Sequence, residues 1–309
     1  IEMNTPEDLS DTSCGFIALV GAPNAGKSTL LNSLVGTKVS IVTHKAQTTR
    51  SQVRGVVTLD KAQLVFIDTP GIFAPRRRLD RAMVDSAWGG AGDADIVALI
   101  VDVDRGLTPE LEKLIEGLEN VNHPRILILN KIDTVKNEEL LKLSEAINAK
   151  LRFEATFMIS ALKGYGVQDF MDWCIKHIPP GPWHFPEDHL TDLTMAITAA
   201  EITREKLFLR VHDEIPYNST VETESFKIQK DGSYKIDQVI YLSRESHKKI
   251  VLGAGGQTIK AIGAESRKEL MAMYEVPIHL FLFVKVREKW GDDPERYREM
   301  GLEYPHGKG

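Results

Sequence analysis

The first residues in this chain whose types and spacing could do chemistry form one loop. Gly21-Ala22-Pro23-Asn24-Ala25-Gly26-Lys27-Ser28, with Thr29 after it, fits the pattern G-x-x-x-x-G-K-[ST]. Glycines at both ends let successive backbone N–H groups turn inward around an anion, and a helix opening near Lys27 adds its positive N-terminal end. Lys27 then offers a mobile charge to β- and γ-phosphates, and Ser28 offers a hydroxyl to Mg²⁺. The bland alternative is a glycine-rich strand-to-helix turn, which needs neither the lysine nor the serine.

Two more short runs extend this chemistry. In Asp68-Thr69-Pro70-Gly71, an aspartate at a strand end can hold Mg²⁺ through water, and the Gly71 N–H can meet a γ-phosphate and sense its presence. In Asn130-Lys131-Ile132-Asp133, the Asp133 carboxylate can accept from guanine N1–H and the 2-amino group. Adenine lacks both donors and would leave the carboxylate unpaired. Asn130 can bond the base edge and tie loops together, while the Lys131 stem covers the ring. Ser160-Ala161-Leu162 can turn the Ala161 N–H towards guanine O6. These runs together predict a site for GTP and GDP, with Lys27, Ser28, Asp68 and Gly71 nearest the bond that breaks.

Such groups converge only if strands and helices place them. From Phe16 onward, strand-like runs at 16–20, 63–67, 96–103, 126–129 and 157–159 alternate with helical spacings at 28–35, 109–118, 138–151 and 167–177. The pattern predicts an α/β fold: a P-loop GTPase domain built on a mainly parallel sheet covered by helices. The prolines from Pro179 to Pro186 end it. Beyond them the chain reads α-β-β-α-α-β: a helix over 191–211, a hairpin around Lys230-Asp231-Gly232-Ser233, helical runs on both sides of a glycine cluster at 253–256, and a strand over 278–286. The expected organisation is an N-terminal tail (1–14), a GTPase domain (15–178), a linker (179–190), an α+β module (191–302) and a C-terminal tail (303–309). Met3 is expected to be the natural start, and no secretion signal precedes the first strand.

The second module carries its own signal. Gly253-Ala254-Gly255-Gly256 is a G-x-x-G loop, flanked by Ile250 and Ile259. Small residues let a sugar-phosphate backbone approach closely, and the apolar flanks suit unstacked bases. Net charge is −6 over the whole chain, which argues mildly against a nucleic-acid partner, and no DNA partner is expected. Yet Arg244, Lys248, Lys249, Lys260, Arg267, Lys268, Lys285 and Arg287 outnumber Glu245, Glu265, Glu269 and Glu275 within 244–287. The expected RNA contacts are Lys248, Lys249, Ile250, Gly253, Ala254, Gly255, Gly256, Ile259, Lys260 and Arg267. Arg76-Arg77-Arg78 falls in the loop after Gly71, read as a solvated loop or as an RNA or ribosome contact gated by GTP.

In order and spacing these elements resemble the TrmE-Era-type GTPases. Lys45-Ala46-Gln47-Thr48-Thr49-Arg50 and the C-terminal order resemble the Era family, bacterial GTPases with a type II KH domain. The resemblance implies that Thr49, or alternatively Thr48, closes on Mg²⁺ in the GTP state. It implies slow intrinsic turnover, because Ile72 stands where other GTPases carry a catalytic glutamine. It also implies that Asn24 helps hold K⁺ near the phosphates. Leu162 departs from a lysine common in GTPases. The implied partner is the 3′ end of 16S ribosomal RNA, in small-subunit assembly. The implied location is the cytoplasm, with weak peripheral membrane association as a family trait that no residue here displays.

Two rivals stand beside this reading. One is a GTPase whose C-terminal module binds a protein; the other is an RNA-binding module with a vestigial nucleotide site. The glycine loop with its basic cluster opposes the first, and intact Lys27, Ser28, Asp68 and Asp133 oppose the second. Cys14 and Cys174 lie far apart and the nine histidines do not cluster, so no zinc or haem site is expected. No apolar run approaches the ~18 residues of a membrane span.

Overall fold

The computed structural model describes residues 11–288 and 290–305. Met3, most of the N-terminal tail and the end of the C-terminal tail lie outside the described residues. The chain divides into two compact units: residues up to Ser40 together with Thr49–Asp192, and Ile41–Thr48 together with the residues from Leu193 on.

In the first unit the order is β1 (Ser13–Val20), α1 (Lys27–Val35), β2 (Val53–Leu59), β3 (Ala62–Asp68), α2 (Arg78–Asp93), β4 (Ile96–Asp102), α3 (Pro109–Leu118), β5 (Arg125–Asn130), α4 (Asn137–Lys150), β6 (Ala155–Ile159) and α5 (Val167–His177). Six strands form one sheet in the order β2-β3-β1-β4-β5-β6. All neighbours are parallel except β2 against β3. Every residue of β3 is buried, as a central strand covered on both faces requires. Ala18, Val20, Leu99 and Leu127 pack with Leu114 and Ile115 of α3 and Ile147 of α4. On the other side α1 and α5 pack on β3, where Phe66 meets Phe170 at a ring distance of 5.9 Å. The mainly parallel α/β fold read from the sequence is the fold observed.

Two elements escaped that reading. β2 is an antiparallel edge strand, and α2 carries Gly89, Gly90 and Gly92, residues that weaken any helical signal. α2 also corrects the loop expected at Arg76–Arg78: Arg78 is its first residue, and Asp80 Oδ2 accepts from the N–H groups of Arg76 and Arg77 at 3.0 and 2.9 Å. An acidic residue in the first turn thus serves the orphan donors of the helix start.

The second unit contains α6 (Met195–Arg210), β7 (Ser219–Ile228), β8 (Tyr234–Leu242), α7 (Glu245–Leu252), α8 (Gln257–Tyr274), β9 (Ile278–Val286) and a short α9 (Pro294–Glu299). The predicted α-β-β-α-α-β order is present. β7 and β8 are antiparallel with a bulge at 223–225, and β8 pairs β9 in parallel. Helix α6 starts at Met195 rather than at 191. Thr194 caps it, its hydroxyl accepting from the Ile197 N–H at 3.3 Å, while Thr191 bridges to Gly55 of β2 in extended form. The core joins Leu207 of α6 and Val211 just beyond it to Ile240 and Leu242 of β8, Val251 of α7 and Ile262 of α8. Among the described residues no helix is long and apolar enough to cross a membrane.

Candidate functional site

Four of the predicted nucleotide elements lie at the carboxyl ends of parallel strands. The Gly21–Ser28 loop follows β1, Asp68 ends β3, Asn130 ends β5 and Ser160 follows β6. Open α/β sheets bind ligands at this edge. Gly26 joins loop to helix at φ +103°, and a Cβ there would stand 2.1 Å from Asn130 Nδ2. Only glycine permits both the backbone conformation and that approach.

The metal side is built around Asp68, which is fully buried. Its Oδ2 accepts from Ser28 Oγ at 2.6 Å, Ser40 Oγ at 2.8 Å and Thr49 Oγ1 at 3.3 Å. The Ser28 and Thr49 hydroxyls also lie 3.0 Å apart. The structure therefore brings Ser28, Thr49 and Asp68 together. Thr48 points elsewhere, its hydroxyl donating to the Lys45 carbonyl at 2.6 Å. Asp68 Oδ1 is buried with no hydrogen-bond partner, an arrangement that costs about 1–3 kcal/mol unless a donor or a cation meets its lone pairs. Hard oxygen donors around one buried carboxylate suit Mg²⁺, which keeps waters and binds few protein oxygens. The residues present thus fit that ion.

Lys27 lies beside this cluster, its Nζ donating to the carbonyls of Gly21 and Ala22 at 3.1 and 2.9 Å. Burial pushes the Lys27 ammonium down to about 8, against the attraction of Asp68. Burial also pushes the Asp68 carboxyl up, against Lys27 and the three hydroxyls. Both groups are poorly solvated, so each favours a ligand of opposite charge. Ile72 packs on the core cluster of β4 and β5 and its N–H donates to the Gly21 carbonyl.

On the base side Asn130 is a tie. Its Nδ2 donates to the Ala25 carbonyl at 2.9 Å and its Oδ1 accepts from the Ala161 N–H at 2.9 Å. The Ala161 N–H, expected to face guanine O6, is engaged by Asn130 instead. Lys131 reaches Asp102 at 2.6 Å. Asp133 pairs with Lys163 at 3.0 Å, and the Ser160 hydroxyl and then Lys163 hold its carboxyl below the usual range. Leu162 is 82% exposed. A basic side chain therefore does flank this pocket, supplied by Lys163, one residue beyond the position where GTPases commonly carry lysine.

In the second unit, α7 and α8 meet at the G-x-x-G loop. Gly253, Gly255 and Gly256 all have positive φ, and a Cβ on Gly253 would lie 2.3 Å from Thr258 Oγ1. Ala254 and Gly255 are exposed, as are Lys249, Ile250, Lys260 and Arg267. Ile259 is half-buried against the core, and Lys248 is half-buried with Glu245 3.8 Å away.

Comparisons with known proteins add a decisive observation. Residues 16–131 match the family described as 50S ribosome-binding GTPase, and residues 214–291 match the KH domain. GTPase Era of Sinorhizobium medicae is 60% identical over 304 residues, covering 98% of either chain. GTPase Era of Agrobacterium fabrum is 62% identical over 296 residues, covering 96% of this chain and 93% of its own. The chain belongs to the Era family of GTPases. A crystal structure of Era in complex with MgGDPNP and nucleotides 1506–1542 of 16S ribosomal RNA superposes with a TM-score of 0.88 at 37% identity, covering 94% of this chain and 99% of that one. An Aquifex aeolicus Era variant bound to GDP and AlF4⁻ matches equally well.

Three residues of this Era-family chain escaped the sequence reading. Ser40 adds a third hydroxyl to Asp68, Lys163 pairs with Asp133, and Arg204 binds residues 47 and 48. Lys163 could have been found as the neighbour of Leu162. Ser40 and Arg204 belong to no local motif.

Proposed function

We propose that this chain is a GTP-hydrolysing switch that binds single-stranded RNA, the 3′ end of 16S ribosomal RNA, during assembly of the small ribosomal subunit in the cytoplasm. One observation carries the reading: a buried Asp68 ringed by three hydroxyls occurs in the same chain as an exposed G-x-x-G loop with basic and apolar flanks. The Era structure bound to a GTP analogue and a 16S ribosomal RNA fragment supports it.

Residues 21–29 wrap the phosphates with backbone N–H groups, and Lys27 spans the β- and γ-phosphates. Ser28 and Thr49 hold Mg²⁺ directly and Asp68 holds it through water; the ion, when bound, neutralises charge on the phosphate oxygens. Thr69, Pro70 and Gly71 follow the γ-phosphate. Asp133 reads guanine, with Asn130, Lys131, Ser160, Ala161 and Leu162 around the base. Ile72 has no group to orient water or move a proton, so the rate rests on positioning and charge, and turnover is slow. Asn24 helps hold K⁺ beside the phosphates. Replacing Na⁺ by K⁺ at fixed ionic strength should raise turnover severalfold, and equal rates in the two salts would remove the potassium role.

In the second unit Gly253, Ala254, Gly255 and Gly256 let the RNA backbone pass close to the chain. Lys248, Lys249, Lys260 and Arg267 attract it, and Ile250 and Ile259 contact unstacked bases. Crosslinking in cells, followed by sequencing of the attached RNA, tests the reading as a whole. Reads should accumulate at the 3′ end of 16S ribosomal RNA. Recovery of a protein and no RNA would favour the rival in which this module docks a protein partner.

A further inference from the structure

Lys163 stands in the loop that joins β6 to α5, and that loop closes on itself. Ser160 and Tyr165 form an antiparallel bridge, the Ser160 N–H donates to the Tyr165 carbonyl at 3.0 Å, and the Lys163 N–H donates to the Ser160 carbonyl at 3.2 Å. Gly164 and Gly166, at φ +77° and +70°, make the left-handed turns that so short a closure requires. Asn130 Oδ1 fixes the start of the loop through the Ala161 N–H. Lys163 is thus delivered from a braced loop.

Asp133 is braced as well. It lies in a single tight turn, Ile132–Thr134, after Lys131 at φ +70°. The Thr134 N–H and hydroxyl both donate to the Lys131 carbonyl, at 3.0 and 2.8 Å. Lys163 Nζ reaches across from its own loop to within 3.0 Å of Asp133 Oδ2, with the two side chains 50% and 23% exposed. Lys131, the lysine of Asp133's own turn, points instead to Asp102 at 2.6 Å.

An ion pair this exposed adds little to folding. Its weight lies in which carboxylate it touches. An ionised carboxylate offers about four lone-pair sites on two oxygens. Guanine N1–H and its 2-amino group need two of them, one on each oxygen and both near the carboxylate plane. A third donor on Oδ2 uses a remaining site, resists rotation of the carboxylate, and keeps the acceptor pair level with the base.

We propose that Lys163 is a positioning residue for guanine selection: by donating to Asp133 Oδ2, it sets the plane in which the carboxylate meets both guanine donors. The inference rests on Asp133 being the residue that reads guanine.

The full-length protein tests it with three variants: Lys163→Met, Lys163→Arg and Asp133→Asn. Affinities for GTP, GDP and inosine triphosphate, which keeps N1–H but lacks the 2-amino group, are measured by competition against a fluorescent GDP analogue at low and high salt. Thermal unfolding reports integrity. Lys163→Met should weaken GTP and GDP alike by about two- to fivefold at low salt, the range of an exposed ion pair. Inosine triphosphate makes one of the two bonds, so it should lose less, and the preference for GTP over it should shrink. Lys163→Arg should restore that preference. The gap between Lys163→Met and the parent should narrow at high salt, where the pair is screened. Were Lys163 only a positive charge near the phosphates, GTP and inosine triphosphate would lose equally and GTP more than GDP, and the positioning role would be overturned. If Asp133→Asn abolishes GTP binding while Lys163→Met leaves the preference for GTP intact, Asp133 keeps its role and Lys163 loses its own. If Asp133→Asn leaves GTP affinity unchanged, the reading of Asp133 fails and the inference with it.

Discussion

The nucleotide site and the glycine loop of the second unit are built on opposite plans. Lys27, Thr49, Asp68 and Asn130 are buried and bonded to one another or to neighbouring loops. Lys249, Ala254, Gly255, Lys260 and Arg267 stand exposed. The first plan prepares charged groups for a compact, highly charged ligand and makes each depend on the others. The second leaves a long polymer free to approach and spreads its recognition over many small contributions. Damage should therefore be steep and specific in the first region, and graded and salt-dependent in the second.

The sharpest break in that contrast should come from Asp133→Asn, which turns a donor towards the guanine donors. GTP affinity should fall by roughly 10⁴-fold, because a polar site rejects a mismatched base strongly. Xanthosine triphosphate should gain, and competitive titration of the two nucleotides measures the swing. Unchanged GTP affinity would remove Asp133 from the base site.

Next in size is Lys27→Ala. Loss of its charge should lower kcat by about 10²–10³-fold, the scale of one preorganised electrostatic group. Ile72→Ala should cost far less, since that side chain carries no polar group. Single-turnover rates under saturating GTP compare the two, and equal losses would contradict the separate roles of Lys27 and Ile72.

A smaller effect belongs to the second unit. Ala254→Asp with Gly255→Asp sets two negative charges against phosphates, and single-stranded RNA binding should weaken by about tenfold or more at low salt. GTP affinity and intrinsic hydrolysis should persist. Charge reversal at Lys248 and Lys249 should weaken binding and flatten its salt dependence, because fewer counterions are released. Binding isotherms at several salt concentrations separate these outcomes, and RNA affinity unchanged at all of them would return residues from 214 to 291 to the protein-docking rival.

The smallest expected change sharpens the comparison. Ser40→Ala removes one of three hydroxyls from Asp68 Oδ2 while Ser28 and Thr49 remain. A few-fold increase in the Mg²⁺ requirement is expected, on the scale of about 0.5–1.5 kcal/mol for one hydrogen bond. A shift as large as that of Thr49→Ala would make Ser40 more than a supporting donor.

These regions also differed in how they could be read. Gly21 to Ser28, Asp68 to Gly71 and Asn130 to Asp133 are legible because each acts within one tight turn at a strand end, so spacing along the chain equals spacing in the site. The parallel sheet and the α-β-β-α-α-β order were legible from the period of apolar residues. Ser40 was not, because it reaches Asp68 only after the chain has crossed β2 and β3. Arg204 was not, because its carbonyl partners lie more than 150 residues earlier and carry no side-chain signature. Helix α2 hid behind Gly89, Gly90 and Gly92, and the start of α6 was obscured by Thr191, whose extended pairing with Gly55 outweighs its place in the helical period.

Asn130 gives the nucleotide site one further property. Its amide joins the Ala25 carbonyl of the phosphate loop to the Ala161 N–H of the base loop. The span between the two ends of the pocket is thus set by a single side chain, as the jaws of a caliper are set by a screw. Ligands that occupy only one end, such as a free base or inorganic pyrophosphate, gain little from the other. A guanine nucleotide of the right reach engages both at once without having to draw the loops together, since folding has already done so.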